Sequence, residues 1–238
     1  MGESLLITGG LTKNNVISNK CYLFSYNQNN TFDITSFPEM NVGRINHNLI
    51  FIPTRNLLIT CGGVSNKTCE IFNFSLIQWY PMTNLQKIRS NACLAYINDK
   101  YVYCISGYDN EKRIYNNNCE YLNIEYNNEN WVLIDFKFFN FEYMMSAPGV
   151  IQINQANVIL CGGQDENNNI SAKSYLFEFN SEDASLITVS RKQSLPEETL
   201  FKHNHFSSYS KCLYNFDIKQ TLYEFNIDTG IINKKNLF

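Results

Sequence analysis

Short runs of alternating apolar and polar residues recur along this chain, and most follow a continuous apolar run that stops at glycine. The alternating runs are Cys21-Tyr-Leu-Phe-Ser-Tyr26, Cys69-Glu-Ile-Phe-Asn-Phe74, Cys119-Glu-Tyr-Leu-Asn-Ile124, Ser174-Tyr-Leu-Phe-Glu-Phe179 and Gln220-Thr-Leu-Tyr-Glu-Phe225. Apolar side chains at every second position predict strands with one strongly buried face. The continuous runs are Leu5-Leu-Ile-Thr-Gly-Gly10, Leu57-Leu-Ile-Thr-Cys-Gly-Gly63, Val158-Ile-Leu-Cys-Gly-Gly163 and a weaker copy, Tyr101-Val-Tyr-Cys-Ile-Ser-Gly107. Glycine at the end of a buried strand costs backbone entropy and fills no volume, so its recurrence there needs a structural reason.

Gly10, Gly63, Gly107 and Gly163 lie at successive steps of 53, 44 and 56 residues. After each alternating run comes a short turn and a further strand, carrying Trp79 in the second unit and Trp131 in the third. Phe32-Asp-Ile34, Leu186-Ile-Thr-Val189 and Gly230-Ile-Ile232 hold that place in the other units. Polar connections lead to a further class of strand, as in Asn48-Leu-Ile-Phe-Ile52 and Ala92-Cys-Leu-Ala-Tyr-Ile97. The entries to these strands also correspond: Arg44-Ile-Asn-His47, Arg89-Ser-Asn-Ala92, Met145-Ser-Ala-Pro148 and Lys202-His-Asn-His205.

The Gly-Gly after a strand, the Tyr/Phe strand, the Trp and the Arg-x-x-His entry together resemble the kelch repeat, whose period is roughly 50 residues. The resemblance spans about residues 5 to 233, and it extends to the galactose oxidase-like central domain superfamily. It implies an all-β fold, a kelch-type β-propeller of about five four-stranded blades around a channel, with the Gly-Gly strand second from the axis. Gly9, Gly10, Gly62, Gly63, Gly107, Gly162 and Gly163 are then structural, letting the chain bend where another backbone passes close by. The chain reads as one domain over residues 1–238, with repeats at about 5–43, 44–88, 89–144, 145–201 and 202–238. Two departures concern closure: the first unit begins at its second strand, and the fifth, Cys212-Leu-Tyr-Asn-Phe-Asp217, has lost both glycines. A fragment, a degenerate five-bladed ring and an open array closed by another chain all fit; a truncated or degenerate propeller, incomplete or open, is favoured.

Composition narrows the classes of function. Apolar residues at 44% and aromatics at 14% supply a core, and a net charge of −3 with scattered signs leaves no electrostatic footprint for nucleic acid. No window approaches the apolar length of a membrane helix, and the first ten residues lack the basic and apolar regions of a signal peptide. The eight cysteines are therefore expected to be reduced thiols in a cytoplasmic protein.

The candidate chemistry is sparse. His47, His203 and His205 lie at strand entries, where the repeat itself tends to place histidine, and no carboxylate or cysteine at metal-site spacing accompanies them. There is no Cys-x-x-Cys, no P-loop Lys-Ser/Thr after the glycines and no Gly-x-Ser-x-Gly elbow. The expectation is no catalytic residue, no metal and no cofactor. Loop length is more informative: the connections 11–20, 108–118 and 164–173, and 37–43, 135–144 and 193–201, are long and polar, and in a four-stranded antiparallel blade both classes emerge on one side. One elaborated face suits binding, with Arg44, Arg89, Tyr108, Arg113, Tyr115, Phe138 and Phe139 as contact candidates because Arg and aromatics dominate interface energetics. The resemblance thus implies a non-enzymatic protein–protein interaction module, a scaffold or substrate adaptor that binds another protein through its long-loop face, within a larger complex. The alternative is a channel-site enzyme or small-ligand binder of the kelch-like oxidase or epimerase type; a structural subunit of a larger assembly is the second alternative.

Overall fold

The computed structural model describes residues 4–26, 32–126, 129–135, 146–165, 167–195 and 198, and the strands within 204–236. The alternating and continuous runs are strands, and all pairings between them are antiparallel. β1 (Ser4–Thr8), β2 (Cys21–Tyr26) and β3 (Phe32–Phe37) form a three-stranded sheet. β4 (Asn48–Ile52), β5 (Leu57–Cys61), β6 (Cys69–Asn73) and β7 (Gln78–Met82) form a four-stranded sheet in chain order. In the third sheet β8 (Cys93–Ile97), β9 (Tyr101–Ile105), β12 (Asn118–Asn123) and β13 (Val132–Asp135) lie side by side, and a small hairpin of β10 (Tyr108–Asp109) and β11 (Ile114–Tyr115) is inserted after β9. The fourth sheet is β14 (Gly149–Gln152), β15 (Asn157–Cys161), β16 (Ser174–Phe179) and β17 (Ile187–Lys192). The fifth is β18 (Asn204–Ser207), β19 (Cys212–Asn215), β20 (Thr221–Phe225) and β21 (Ile232–Asn236).

The first strands of successive sheets, β4, β8, β14 and β18, are neighbours in that order. The fold is all-β and its serial sheets are consistent with a propeller-like arrangement; a closed ring is not established among the described residues. The helical content among them is one 3-10 turn, Pro53–Arg55, so no helix there is long and apolar enough to cross a membrane.

The continuous apolar runs follow from burial on two faces. Leu58 joins Cys21, Met40, Phe72 and Trp79 against the first sheet, while its neighbour Ile59 joins Leu94, Val102 and Cys104 against the third. One sheet on, Val102 and Cys104 face the second sheet, and Tyr103 and Ile105 pack with Val158, Leu160 and Phe177 of the fourth. A strand between two cores has no solvent-facing position, which is why alternation disappears there; the Thr60 hydroxyl in β5 is accommodated by donating to the Asn48 carbonyl. The tryptophans close the outer end of each gap in the same way. Trp79 Nε1 donates to the Pro38 carbonyl and Trp131 Nε1 to the Thr83 carbonyl, both at 2.9 Å.

The glycine pair is required by close approach. Gly62 and Gly63 have φ of +69° and +123°, and a Cβ built on them would stand 2.4 Å from the Arg89 carbonyl oxygen and 2.8 Å from that of Ile45. The third unit keeps the same turn without its first glycine: Ser106 has a φ of +60° and is fully buried.

Candidate functional site

Arg44 and Arg89 precede the first strands of the second and third sheets, and the structure places both inside the protein. Arg44 Nη2 donates to Glu70 Oε1 at 2.9 Å and to Thr68 Oγ1 at 2.8 Å, and its Nη1 donates to the carbonyls of Gly62 and Thr68. Arg89 repeats the arrangement: Nε to Glu120 Oε1 at 2.9 Å, and Nη1 to the carbonyls of Ser106 and Asn118 at 2.6 and 3.0 Å. All four side chains of these two pairs are at most 2% exposed. Each glutamate also accepts from the segment that leads into its sheet, Glu70 from the backbone N–H groups of Asn41 and Val42, and Glu120 from those of Gln86 and Lys87. The expectation that Arg44 and Arg89 contact a partner is thereby corrected. Their guanidinium groups are bonded inside the protein and have no access to solvent, and Arg44 Nε is buried without a hydrogen-bond partner.

Tyr108, Arg113 and Tyr115 are brought together on the β10–β11 hairpin. The rings of Tyr108 and Tyr115 are 4.9 Å apart, and the Tyr115 hydroxyl donates to Asn168 Oδ1 at 3.1 Å across to the next long loop. Partial burial raises the Tyr115 phenol, with Tyr108 and Asp165 adding to the effect. Arg113 is exposed at the hairpin tip with a φ of +57°. Phe138 and Phe139 lie outside the described residues, as do the side chains of His203 and His205.

Beside this hairpin is a cleft of about 330 Å³, lined by Ser65, Lys67, Gln86, Lys87, Ile88, Asp109, Glu111 and Lys112. These residues lie in the β5–β6 and β7–β8 connections and in the β10–β11 insertion, connections that emerge on the same side as the long ones. Two hydrogen bonds fasten its walls together, from Ser65 N to Asn110 Oδ1 at 2.8 Å and from Asn110 Nδ2 to Ser65 Oγ at 2.7 Å. The buried Asp109 carboxylate shapes the far wall by accepting the backbone N–H groups of Glu111 and Lys112. Desolvation lowers the Lys87 ammonium, and the nearby Arg89 charge lowers it further. Sequence reading passed over these residues. A hint lay in the charged side chains, Lys87-Ile-Arg89 and Glu111-Lys-Arg113, in connections that share one face.

The seven described cysteines are all free and buried. Burial pushes the Cys21 thiol up to about 11 and those of Cys119 and Cys161 up to about 12, which leaves them protonated and poor as nucleophiles or metal ligands. His47 Nε2 is 2.8 Å from Thr8 Oγ1, a contact that fixes the imidazole within the fold.

No protein-family model matches the chain, and no curated protein matches it in sequence. Solved structures do. YjhT superposes over 99% of this chain and 76% of its own, at 12% identity and a TM-score of 0.66. A fungal alcohol oxidase of the AA5 family, in complex with copper, superposes over 98% of this chain and 62% of its own, at 10% identity and a TM-score of 0.56. The chain thus spans less than two thirds of the oxidase, and at these identities the likeness is one of fold. It shows a fold shared with these two structures over nearly the whole of this chain.

It also overturns the expectation of a non-enzymatic module, because an enzyme, an alcohol oxidase, is built on the fold that carried that expectation. The copper belongs to that oxidase. Among the described residues, no three His, Cys, Asp or Glu side chains converge on a metal position.

Proposed function

We propose that this chain is a propeller-type domain of about five blades, incomplete or open, of the enzyme-bearing kelch-like kind. In this reading it takes a small polar ligand on its long-loop face. The observation that carries the proposal is the cleft between the second and third sheets, whose volume of about 330 Å³ falls in the range of small-molecule sites and whose walls are tied to one another before any ligand arrives. The likeness to an alcohol oxidase supports an enzyme over a passive scaffold.

A thermal-shift screen of polar metabolites against the wild-type chain and a Lys67→Ala/Lys112→Ala variant tests this. A ligand present at about 100 times its Kd stabilises by about 2.7 kcal/mol, a rise of about 5 to 10 °C for a domain of this size. Hits that vanish in the variant support the cleft. Hits that persist unchanged in the variant place the ligand elsewhere and refute the proposal.

A protein partner on the same face is the second reading. Tyr108, Arg113, Ile114 and Tyr115 favour it, standing side by side on the β10–β11 hairpin with Ile114 exposed. Deleting residues 108–118 and 164–173 is expected to abolish partner recovery from the native cell, and unchanged recovery refutes it.

A further inference from the structure

The cleft holds more positive charge than the protein itself answers. Lys67, Lys87 and Lys112 come from three different connections and line it together. None of the three ammonium groups has an ion-pair partner within 4 Å among the described residues. The acidic side chains of the lining are Asp109 and Glu111, and one oxygen of Asp109 is already engaged by two backbone N–H groups.

Three cations against two carboxylates leave an excess of positive charge, and an anion placed among them offsets it. The type of cation matters for the type of anion. Arg44 and Arg89 are consumed internally, by Glu70 and Glu120, and Arg113, exposed at the hairpin tip, is not part of the lining. The cleft therefore offers no planar guanidinium fork to grip a flat carboxylate through two parallel hydrogen bonds. Three separate ammonium groups instead act as point charges around a volume, which suits a compact, multiply charged tetrahedral oxyanion. Ser65 adds a neutral donor: its Oγ accepts from Asn110 Nδ2, so the hydroxyl hydrogen is free to point inward.

We infer that the cleft formed by Lys67, Lys87, Lys112 and Ser65 binds a phosphate group, either free or as the phosphoryl end of a phosphomonoester. This inference rests on the small-ligand reading of the same cleft and names the chemical class of its ligand. Glu111, at the rim, then opposes the bound anion and limits its affinity.

Isothermal titration of the full chain with inorganic phosphate, at fixed low ionic strength, tests the inference. One saturable site is expected. Lys67→Ala and Lys112→Ala each raise the apparent Kd on the order of tenfold, the equivalent of about 1.4 kcal/mol, and Glu111→Gln lowers it several-fold. A purely structural role for these exposed side chains would not produce that opposite sign. Glycerol 3-phosphate in a parallel titration separates the two sources of the group: tighter binding than phosphate marks a phosphomonoester ligand, and equal binding marks phosphate alone. Malonate supplies the planar comparison. If malonate binds with the same lysine dependence and phosphate does not, the phosphate inference is overturned and the small-ligand reading survives. If no anion's binding responds to the lysine substitutions, the inference is overturned; if the screening hits are equally indifferent, the small-ligand reading falls with it.

Discussion

Replacing Arg89 by methionine should be among the most damaging single changes in this protein. The side chain is fully buried and satisfies Glu120 Oε1, the carbonyls of Ser106 and Asn118, and the Asn118 side-chain oxygen. Its loss strands a buried carboxylate and leaves two carbonyls without this donor. Breaking a buried pair from one side costs about 3 to 5 kcal/mol, and with the orphaned acceptors the total comes to about 4 to 6 kcal/mol. Against a stability of about 5 to 15 kcal/mol this is a large fraction, equivalent to a fall in Tm of about 10 to 20 °C. The chain supplies its own control. In the fourth repeat the corresponding positions are Met145 and Tyr175, so both members of the pair are replaced together. The double variant Arg89→Met/Glu120→Tyr should therefore be more stable than Arg89→Met alone, with a coupling of at least about 2 kcal/mol. Urea unfolding of the wild type, both single variants and the double variant gives the four midpoints, with m unchanged between them. A single variant that loses less than about 1 kcal/mol, or a double variant whose loss is the sum of the singles, would refute the reasoning.

Three further outcomes follow from the fold. Ser106→Gly should stabilise by about 1 kcal/mol, since a left-handed φ costs a non-glycine residue about 1 to 2 kcal/mol and Ser106 Oγ is buried without a partner; a Tm that does not rise contradicts this. Gly62→Ala should cost at least about 2 kcal/mol, because the added carbon meets the Arg89 backbone carbonyl rather than a movable side chain; a shift below 1 °C in a thermal melt would count against it. Stability should also decline in alkali. The thiols of Cys21, Cys119 and Cys161 titrate at about 11, 12 and 12 when folded against 9.0 when unfolded, so above pH 9 the unfolded chain releases protons that the folded chain keeps. Their contribution is intact below pH 9 and is lost through the window from 9 to 12, at a rate on the order of 4 kcal/mol per pH unit while all three differ. Circular dichroism against pH follows the loss, and slow iodoacetamide labelling of these thiols at pH 8 checks their protonated state.

The strands and their order were legible because two-sided burial writes itself into the chain. Leu57–Cys61, but for Thr60, and Val158–Cys161 are apolar throughout since each lies between two cores, and Gly62 marks the point where the next connection passes overhead. Arg44 and Arg89 misled because residue type does not report depth: an arginine in a long polar connection has the composition of a binding surface. The sign that they were buried lay elsewhere, in Glu70 and Glu120, acidic residues at the position where the other units have tyrosine or threonine. The cleft was harder to see. Its lining comes from segments around residues 65, 87 and 110, each unexceptional by itself, and they meet through the stacking of sheets, which no local pattern records. The β10–β11 hairpin escaped for a related reason, since its paired segments are two residues each and too short to show a period.

The carbonyls of Arg44 and Arg89 bond to the sheet before the one that their side chains enter. Gly10 N–H donates to the first and Gly63 N–H to the second, at 2.8 and 3.0 Å, while the same arginines' side chains are locked into the sheet that follows. One residue thus rivets two sheets, its peptide in one and its guanidinium in the other. Under tension along the chain, load crossing from the first sheet to the second, or from the second to the third, is shared by such a rivet and the apolar core beside it. The junction leading into the fourth sheet has methionine at that place in the sequence. The third and fourth sheets are joined differently, by a shared apolar core and by bonds such as that from the Tyr103 hydroxyl to the Ala184 carbonyl.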